Sequence, residues 1–327
     1  MGARFGQAAL WCARRLAIMV GMLLVVATIV FLITQALPGD LPRQILGQAA
    51  TDAQIARLSE QMGLDRPLIV QYFEWLGGML RGDLGVSLAS GTPVATLMGP
   101  RIAATAFMVT VAAAITLPAA FALGIAAARR PGGALDHAIS GTVFVIMSMP
   151  EFVIAIALVA ILATNVFHVL PATAALDPRI PIWDQANLIV LPLIAMVITA
   201  LPHLTESVKA TVREELSSEH VRWARLSGIP ERTVLTRYAL ANVVPPSLQI
   251  CVQTVGYLIG GTIAIETVFS FPGIGSGLAN SVMTRDITSI QSIAVLIAAV
   301  LIALYAVADA VGLVFTPRAR RPVGGNR

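Results

Sequence analysis

Residues 16–37 read LAIMVGMLLVVATIVFLITQAL, an apolar run without a single charge. At 1.5 Å per residue, a helix of about 20 such residues crosses the roughly 30 Å hydrocarbon core of a bilayer. Arg14 and Arg15 precede the run, as basic residues precede the apolar part of a signal peptide. The run is too long for such a peptide, however, and no small-residue cleavage site follows it. We therefore interpret it as a retained transmembrane helix.

Further apolar runs follow at residues 103–128, 138–167, 188–203, 246–268 and 290–315. Lipid offers the backbone no hydrogen-bond partner, so such runs are expected to be helices. Of the 327 residues, 57% are hydrophobic and only 12% are charged, with a mean hydropathy of +0.80. Soluble domains carry about 25% charged residues. The sequence therefore excludes a disordered chain, disfavours a soluble fold and predicts an all-α integral membrane protein with six transmembrane helices.

The basic residues lie mainly in alternate loops, the pattern that orients a membrane protein. Fifteen of the 22 Lys and Arg residues fall on the side of the two chain ends, and five of the other seven lie in one long loop, which counts little because long segments translocate regardless of charge. The expected order is a cytoplasmic tail (1–15), a first helix (16–37), an external loop (38–102), a five-helix core (103–316) containing a cytoplasmic loop (204–243), and a second cytoplasmic tail (317–327).

Two short helices are predicted within the external loop. Residues 52–64 follow Thr51, a suitable N-cap, and Gly63 lies near their end. Residues 68–80 form a second apolar stretch that is rich in aromatic side chains. We expect this loop to be a soluble insertion.

No catalytic motif is present in the sequence. It lacks a P-loop, a nucleophile elbow and an H-E-x-x-H zinc motif, and its four histidines are isolated from one another. Cys12 and Cys251 lie far apart in apolar surroundings, which favours packed thiols over a disulfide or metal pair. Because the basic residues do not cluster on one soluble face, nucleic acid is not an expected partner. We expect a protein that is not an enzyme and binds no metal.

The cytoplasmic loop contains EHVRWARLSGIP at residues 219–230. Gly228 suits the position just after a helix, where glycine adopts the left-handed conformation without strain, and Pro230 prevents the helix from continuing. A short, rigid, charged helix held between two spans can transmit force from a soluble partner to the membrane. The alternative is a basic segment bound to anionic lipid, although the five glutamates in residues 204–243 argue against it.

The stretch ARLSG at residues 224–228, with Asn242 and Pro246 downstream, resembles the EAA-type loop of ABC importer permeases. Other stretches resemble the dipeptide, oligopeptide and nickel permeases of the B-subunit type. They read LPGD at 37–40, GLDRP at 63–67, RGDLGVS at 81–87, and ETVFSFPGIG at 266–275. The resemblance extends over residues 14–320 in the order and spacing of that family. The chain departs from the pattern at His220, Trp223 and Leu226-Ser227.

The resemblance implies a type I importer permease that supplies half of the substrate pathway in a bacterial inner membrane. It implies a second, homologous permease subunit, one or two ABC ATPase subunits that use ATP and Mg, and an extracytoplasmic substrate-binding protein. This chain would itself bind no cofactor. The substrate would be a peptide, or a related solute such as a nickel chelate or glutathione. ATPase coupling would be carried by Glu219, Val221, Arg222, Ala224, Arg225, Gly228, Asn242 and Pro246.

Acidic residues within apolar spans are expensive and should face a cavity or a partner. We assign Glu266, Phe269, Pro272, Gly273 and Glu151 to a gate or translocation pathway. Glu151 could meet the amino group of a peptide or be a solvated charge at the membrane edge. Asp309 is expected to form a structural ion pair with a C-terminal arginine such as Arg318 or Arg320. A proton-coupled secondary transporter is the alternative function, with Glu266 or Asp309 as the relay.

Overall fold

The computed structural model describes residues 2–36, 46, 50–61, 65–164, 166–177 and 179–315. Within these ranges the chain is helical, apart from turns and an isolated antiparallel bridge between Val86 and Pro93. It divides into two compact units. The first contains residues 1–105 and 272–303, and the second contains residues 106–271 and 304–327. The predicted all-α class is confirmed.

The first unit contains α1 (Gly2–Gln35), α2 (Asp52–Gln61), α3 (Leu68–Leu80), α11 (Ile274–Met283) and the first parts of α4 (Val94–Ala128) and α12 (Ile287–Phe315). Its buried core is formed by Val94, Met98, Ile274 and Ile293. Thr51 directly precedes α2, as predicted, but its hydroxyl does not accept a helix N–H. Gln54 Oε1 instead accepts both the Thr51 N–H at 2.9 Å and the Thr51 hydroxyl at 3.0 Å.

Asp286 fixes the chain that follows α3 onto the start of α12. Its carboxylate accepts hydrogen bonds from the Ser87 hydroxyl, the Leu88 N–H and the Ser289 hydroxyl. Burial raises the pKa of Asp286, but these hydrogen bonds outweigh burial and hold the pKa below its usual value. The carboxylate therefore stays charged as a fixed acceptor at neutral pH.

The second unit contains the rest of α4 and α12 together with five longer helices: α5 (Ala134–Met147), α6 (Glu151–Val159, continued by a π-turn to Thr164), α7 (Ala186–Leu216), α8 (Glu219–Leu226) and α10 (Leu240–Val268). The short α9 (Glu231–Thr233) and a π-helical stretch (Val234–Ala239) lead into α10. α10 packs along α7. The core beside α7 contains Ala120, Leu204, Val208, Val212 and Val243.

Five helices in the described chain are long and apolar enough to cross a membrane, and α5 with α6 makes a sixth span if the two count as one. These two helices meet at an angle of 99°. Pro150 explains the break, because proline lacks a backbone N–H and disfavours a helical conformation in the residue before it. The third apolar run is thus divided into two helices at Pro150.

The fourth predicted span was too short. We expected it over residues 188–203, whereas α7 continues to Leu216. The charged residues from Glu206 onward lower the mean hydropathy, so the predicted span stopped before them. The buried stripe of Leu204, Val208 and Val212 nevertheless continues at helical spacing on the other face. The segment 204–243 thus begins as a direct continuation of the same helix.

One further element differs from the predicted pattern. α11 was not predicted, because its ten residues are rich in Gly and Ser and, apart from Ile274, bury only Gly275, Gly277 and Ser281. The motif at 37–40 and residues 62–64, where the predicted α2 ends, lie outside the described residues.

Gly124 allows α4 to approach α7 closely. A Cβ at this position would lie 2.9 Å from the Thr205 carbonyl oxygen and 2.9 Å from Val208 Cβ. Neither atom is the end of a flexible side chain, so we expect Gly124→Ala to destabilise the protein by about 1–3 kcal/mol through overpacking.

The matched control is Gly141→Ala on the exposed face of α5, where a Cβ meets nothing within 4 Å. Because alanine has the better helix propensity, stability should be unchanged or slightly raised. Thermal unfolding of both variants in detergent measures the difference. Equal melting temperatures would show that the α4–α7 approach is not tight.

Candidate functional site

α8 lies on the rest of the second unit through one buried face. Val221 and Ala224, three residues apart on the helix, are buried against Val234, Ala239 and the partly buried Leu216. These contacts join α8 to the end of α7 and to the π-helical stretch before α10. The helix is therefore packed in place by apolar contacts and is not an extended arm.

The end of α8 has the geometry that the sequence predicted. Gly228 has a φ of +74°, in the left-handed region. Its N–H donates to the Arg225 carbonyl at 3.0 Å, and the Ile229 N–H donates to the Ala224 carbonyl at 3.2 Å. These two bonds form a Schellman motif, and Ile229 completes it by packing on the apolar cluster below α8. Pro230 is the N-cap of the following α9.

Arg225 closes the turn by joining three elements. Its Nη2 donates to Glu231 Oε1 at 2.8 Å, its Nε donates to Glu231 Oε2 at 3.1 Å, and its Nη1 donates to the Leu216 carbonyl at 3.3 Å. The hydrogen bond from Arg225 holds the pKa of Glu231 below its usual value, and the same bond raises the pKa of Arg225. The side chain that we assigned to ATPase coupling thus holds α8 internally.

Asn242 also makes internal contacts. Its Nδ2 donates to Glu215 Oε1 at 2.9 Å and lies 3.2 Å from His220 Nε2, while His220 Nε2 is 2.8 Å from the same Glu215 oxygen. The three side chains come from the end of α7, from α8 and from the start of α10. Pro246, the last residue assigned to coupling, is exposed on α10.

The outward face of α8 carries Glu219, Arg222, Trp223 and Leu226, all exposed. Trp223 is 68% exposed and Leu226 is 70% exposed. They lie one helical turn apart, so their side chains form one apolar spot beside the charge of Arg222. A rigid helix with an exposed aromatic side chain of this kind has the features of a protein-docking surface.

A buried ion pair lies where α5 meets α7. Lys209 Nζ is 3.0 Å from Asp136 Oδ1, and these residues are only 5% and 8% exposed. Asp136 also accepts hydrogen bonds from Arg213 and from the Gly132 N–H. The sequence analysis did not find this network. Lys209 stands out as the one lysine in the chain, but the sequence gives no signal that pairs it with a residue 73 positions earlier.

Glu151 is the first residue of α6, and its carboxylate lies against α10. A Cβ on Gly261 would lie 2.8 Å from Glu151 Oε2, so glycine makes room for the acid. The Tyr257 side chain interacts electrostatically with the same carboxylate. The His203 ring, from α7, lies 4.9 Å from the Tyr257 ring between centroids. The structure thus brings polar side chains of three helices together around Glu151.

Two of the three glycines at positions 256, 260 and 261 of α10 make room for neighbours within the chain. A Cβ on Gly256 would approach Tyr305 to 3.3 Å, and Gly261 faces Glu151, whereas Gly260 opens onto space.

The residues assigned to the gate fall in both units. In the second unit, Glu266 is 3% exposed, Phe269 and Phe271 are fully buried, and the Phe269 carbonyl accepts the Ala174 N–H at 2.7 Å. In the first unit, Pro272 precedes Gly273, the N-cap of α11, whose carbonyl accepts a hydrogen bond from Arg101 at 3.1 Å. Asp309 is half-buried in α12, and its expected partners Arg318 and Arg320 lie outside the described residues.

The chain is similar to known transport components along nearly its whole length. Residues 120–321 match the family described as "Binding-protein-dependent transport system inner membrane component". Residues 10–123 match the family described as "Binding-prot-dependent transport system membrane comp, N-term". Together the two matches cover both units.

Among individual proteins, an oligopeptide transport system permease protein, AppB of Bacillus subtilis (strain 168), is 28% identical over 95% of this chain and 99% of its own length. A putative peptide permease protein of Brucella suis biovar 1 (strain 1330) is 33% identical over 94% of this chain and 98% of its own. A probable peptide ABC transporter permease protein of Sinorhizobium fredii is 28% identical over 94% and 98%.

The chain therefore belongs to the inner membrane components of binding-protein-dependent transport systems. It is a multi-pass permease subunit of an ABC transport system and not an enzyme. Membership of this family implies an ATPase and a binding protein as partners. This result confirms the transport function expected from the sequence and decides against the proton-coupled carrier.

The Arg225–Glu231 pair yields a test of how α8 is held. We expect Glu231→Gln to speed amide hydrogen exchange of residues 221–229 about two- to fivefold, because an exposed bidentate pair contributes about 0.5–1 kcal/mol. Arg222→Gln on the same helix is the matched control, since the Arg222 side chain makes no hydrogen bond to the described part of the chain.

The pH dependence has a definite sign. The pKa of Glu231 is lowered in the folded protein, so the contribution of the pair is complete above the ordinary glutamate value of about 4.3 and is lost as the pH falls through the lowered pKa. If Glu231→Gln and Arg222→Gln exchange alike, the pair does not hold α8.

Proposed function

We propose that the chain forms half of the translocation pathway for peptides and that α8 docks into a cytoplasmic ATPase. The exposed Trp223–Leu226 face carries this proposal, since the opposite face of α8 and its C-terminal turn are fixed to the chain. Glu219 and Arg222 would border the contact. Val221, Ala224, Arg225, Gly228 and Asn242 would support it from behind, because their contacts lie within the chain. Pro246 is the one coupling residue without a role in this arrangement.

The peptide class is supported by the relatives, whose names describe oligopeptide and peptide permeases. The orientation is supported by the distribution of basic residues, which favours both termini, the segment 204–243 and α8 in the cytoplasm.

A second, homologous permease would supply the other half of the pathway. The ATPase would use ATP and Mg. The end of α10 and the turn that leads to α11, from Glu266 to Gly273, would lie at the external end as a gate. Asp309 would pair near the cytoplasmic end.

Docking through α8 is tested by Trp223→Glu. Loss of a central aromatic contact typically costs 2 kcal/mol or more, so we expect ATPase binding to weaken at least about 30-fold and transport to be lost. The readout is affinity purification from detergent on a tag at this chain, followed by mass spectrometry of the co-purifying ATPase and second permease.

Trp183→Glu is the matched control, because Trp183 is 67% exposed and precedes the opposite end of α7. It should leave ATPase recovery unchanged. Equal recovery of the ATPase with Trp223→Glu and with the parent would refute docking through this face. Recovery of the parent chain alone, with no ATPase, would refute the wider assembly.

Glu151 is proposed to contact the amino group of the substrate. Its carboxylate is half-buried, and no Lys or Arg in the described chain forms an ion pair with it. An acid in a mostly apolar helix needs a cavity or a partner. A positively charged amino terminus supplies such a partner, and Tyr257 and His203 add polar groups beside it.

We expect Glu151→Gln to lower transport of a free-amine peptide about tenfold, because a hydrogen bond to a charged group contributes about 1.5–3 kcal/mol. Gly261→Ala should act in the same direction by displacing the carboxylate, whereas Gly260→Ala, which opens onto space, should have no effect. Uptake of a labelled peptide into proteoliposomes of the assembled importer measures this. Parent-level uptake by Glu151→Gln would exclude contact with the amine.

A further inference from the structure

α3 carries an apolar face that no described residue covers. Leu68, Ile69, Phe73 and Leu80 are 56–80% exposed, and none of the thirteen residues of the helix is buried. The helix contains one charged residue, Glu74, and that side chain pairs with Arg66 at 2.5 Å. An exposed face of this size on so apolar a helix calls for a covering partner.

The opposite face of α3 is fixed to α1. The Tyr72 hydroxyl is 2.8 Å from Thr28 Oγ1. The Phe31 ring packs against Tyr72 and Trp75, with centroids 5.3 and 5.5 Å apart. Gln35 Nε2 donates to a glutamine on α3, at position 71, at 3.1 Å. α3 is therefore held along the last two turns of α1 and is not a mobile part of a loop.

These contacts set the depth of α3 relative to the span formed by α1. The apolar span runs over Ala13–Gln35, with Arg14 and Arg15 near one end and Gln35 at the other. Thr28 lies seven residues before Gln35, which is about 10 Å along the helix axis at 1.5 Å per residue. α3 thus lies beside the part of α1 that crosses hydrocarbon and does not lie beyond its end.

The apolar face of α3 is at the same level as an apolar surface of α1. Over the turns that contact α3, α1 exposes Val25, Ile29, Leu32 and Ile33. Such a surface on a transmembrane helix faces lipid unless another protein covers it. The α3 face adds to this surface at the depth to which interfacial amphipathic helices insert, about 5–10 Å into the headgroup and acyl boundary.

We propose that α3 is an interfacial membrane helix whose Leu68, Ile69 and Phe73 face inserts among the acyl chains of the phospholipid leaflet reached by the C-terminal end of α1. The segment that we expected to be a soluble insertion is, at α3, part of the membrane domain. This inference needs only that α1 spans the bilayer, and it is independent of the ATPase contact and of the substrate.

The polar groups of α3 suit the same placement. An open groove of about 580 Å³ is lined by Ile69, Val70, Phe73, Glu74, Gly77 and Arg81. Its apolar side can hold an acyl chain, and Arg81 can meet the phosphate of the same lipid. The Arg81 side chain forms no ion pair with an acid in the described ranges, so it is available to a headgroup.

The test is the accessibility of a nitroxide label at Phe73→Cys, in the full chain with Cys12→Ala and Cys251→Ala, reconstituted in phosphatidylglycerol–phosphatidylethanolamine vesicles. Power saturation measures the accessibility of the label to oxygen and to a neutral nickel chelate. Comparison of the two accessibilities distinguishes a label in lipid from a label in water. Ile29→Cys on α1 is the lipid reference, and Glu60→Cys on α2 is the water reference. Ile69→Cys, one turn from Phe73, repeats the measurement at an independent position.

We expect labels at Phe73 and Ile69 to resemble Ile29→Cys, with oxygen accessible and the nickel chelate at least about fivefold less effective than at Glu60→Cys. Two results would overturn the inference. Nickel accessibility equal to that at Glu60 would place the face in water. Exclusion of both reagents would mean that a protein surface, such as a binding protein or a second permease, covers it.

Discussion

The coupling proposed for α8 depends on the continuity of α7, which is one helix from Ala186 to Leu216. A helix that changed direction at the membrane surface could absorb a push on α8 by bending there. α7 does not end where its residues become charged, because the buried stripe of Leu204, Val208 and Val212 keeps one face packed. The buried Lys209–Asp136 pair then joins the same helix to α5. Under the proposed coupling, a displacement of α8 would be passed to α7 and α5 together.

The charges near this end of the spans have different energetic roles. Lys209 and Asp136 are nearly excluded from solvent, and they belong to a network in which Asp136 also binds Arg213 and Lys209 also lies 3.4 Å from Glu206. Removal of either member would leave a buried charge with fewer partners. Arg225 and Glu231 remain largely in solvent, so their pair contributes little to global stability. The pair instead helps to fix the orientation of α8 relative to the end of α7 at Leu216. The buried pair therefore maintains the fold, and the exposed pair maintains the local shape of the docking element.

Most of the fold could be predicted from local signals in the sequence. The spans follow from hydropathy, the break at Pro150 follows from proline chemistry, and the end of α8 follows from Gly228. What could not be predicted rests on contacts between distant residues. The length of α7 depends on helices that pack against it, α11 depends on small buried residues with no apolar periodicity, and the Asp136–Lys209 pair joins residues that no motif connects.

The site residues show the same division. Gly228 could be identified from the sequence, whereas the exposed pair of Trp223 and Leu226 and the internal contacts of Arg225 and Asn242 are evident only in the folded chain.

α3 shows why composition alone misplaces a short helix. Thirteen residues are too few to span a bilayer, so hydropathy assigns α3 to the loop in which it occurs. A single hydrogen bond changes this conclusion, because Tyr72 can reach Thr28 only if α3 lies beside the span and not above it. Apolar side chains on the outer face of such a helix are then expected, since the surrounding medium at that depth is itself apolar. Tertiary contact with α1, and not position within the loop, therefore assigns α3 to the membrane domain.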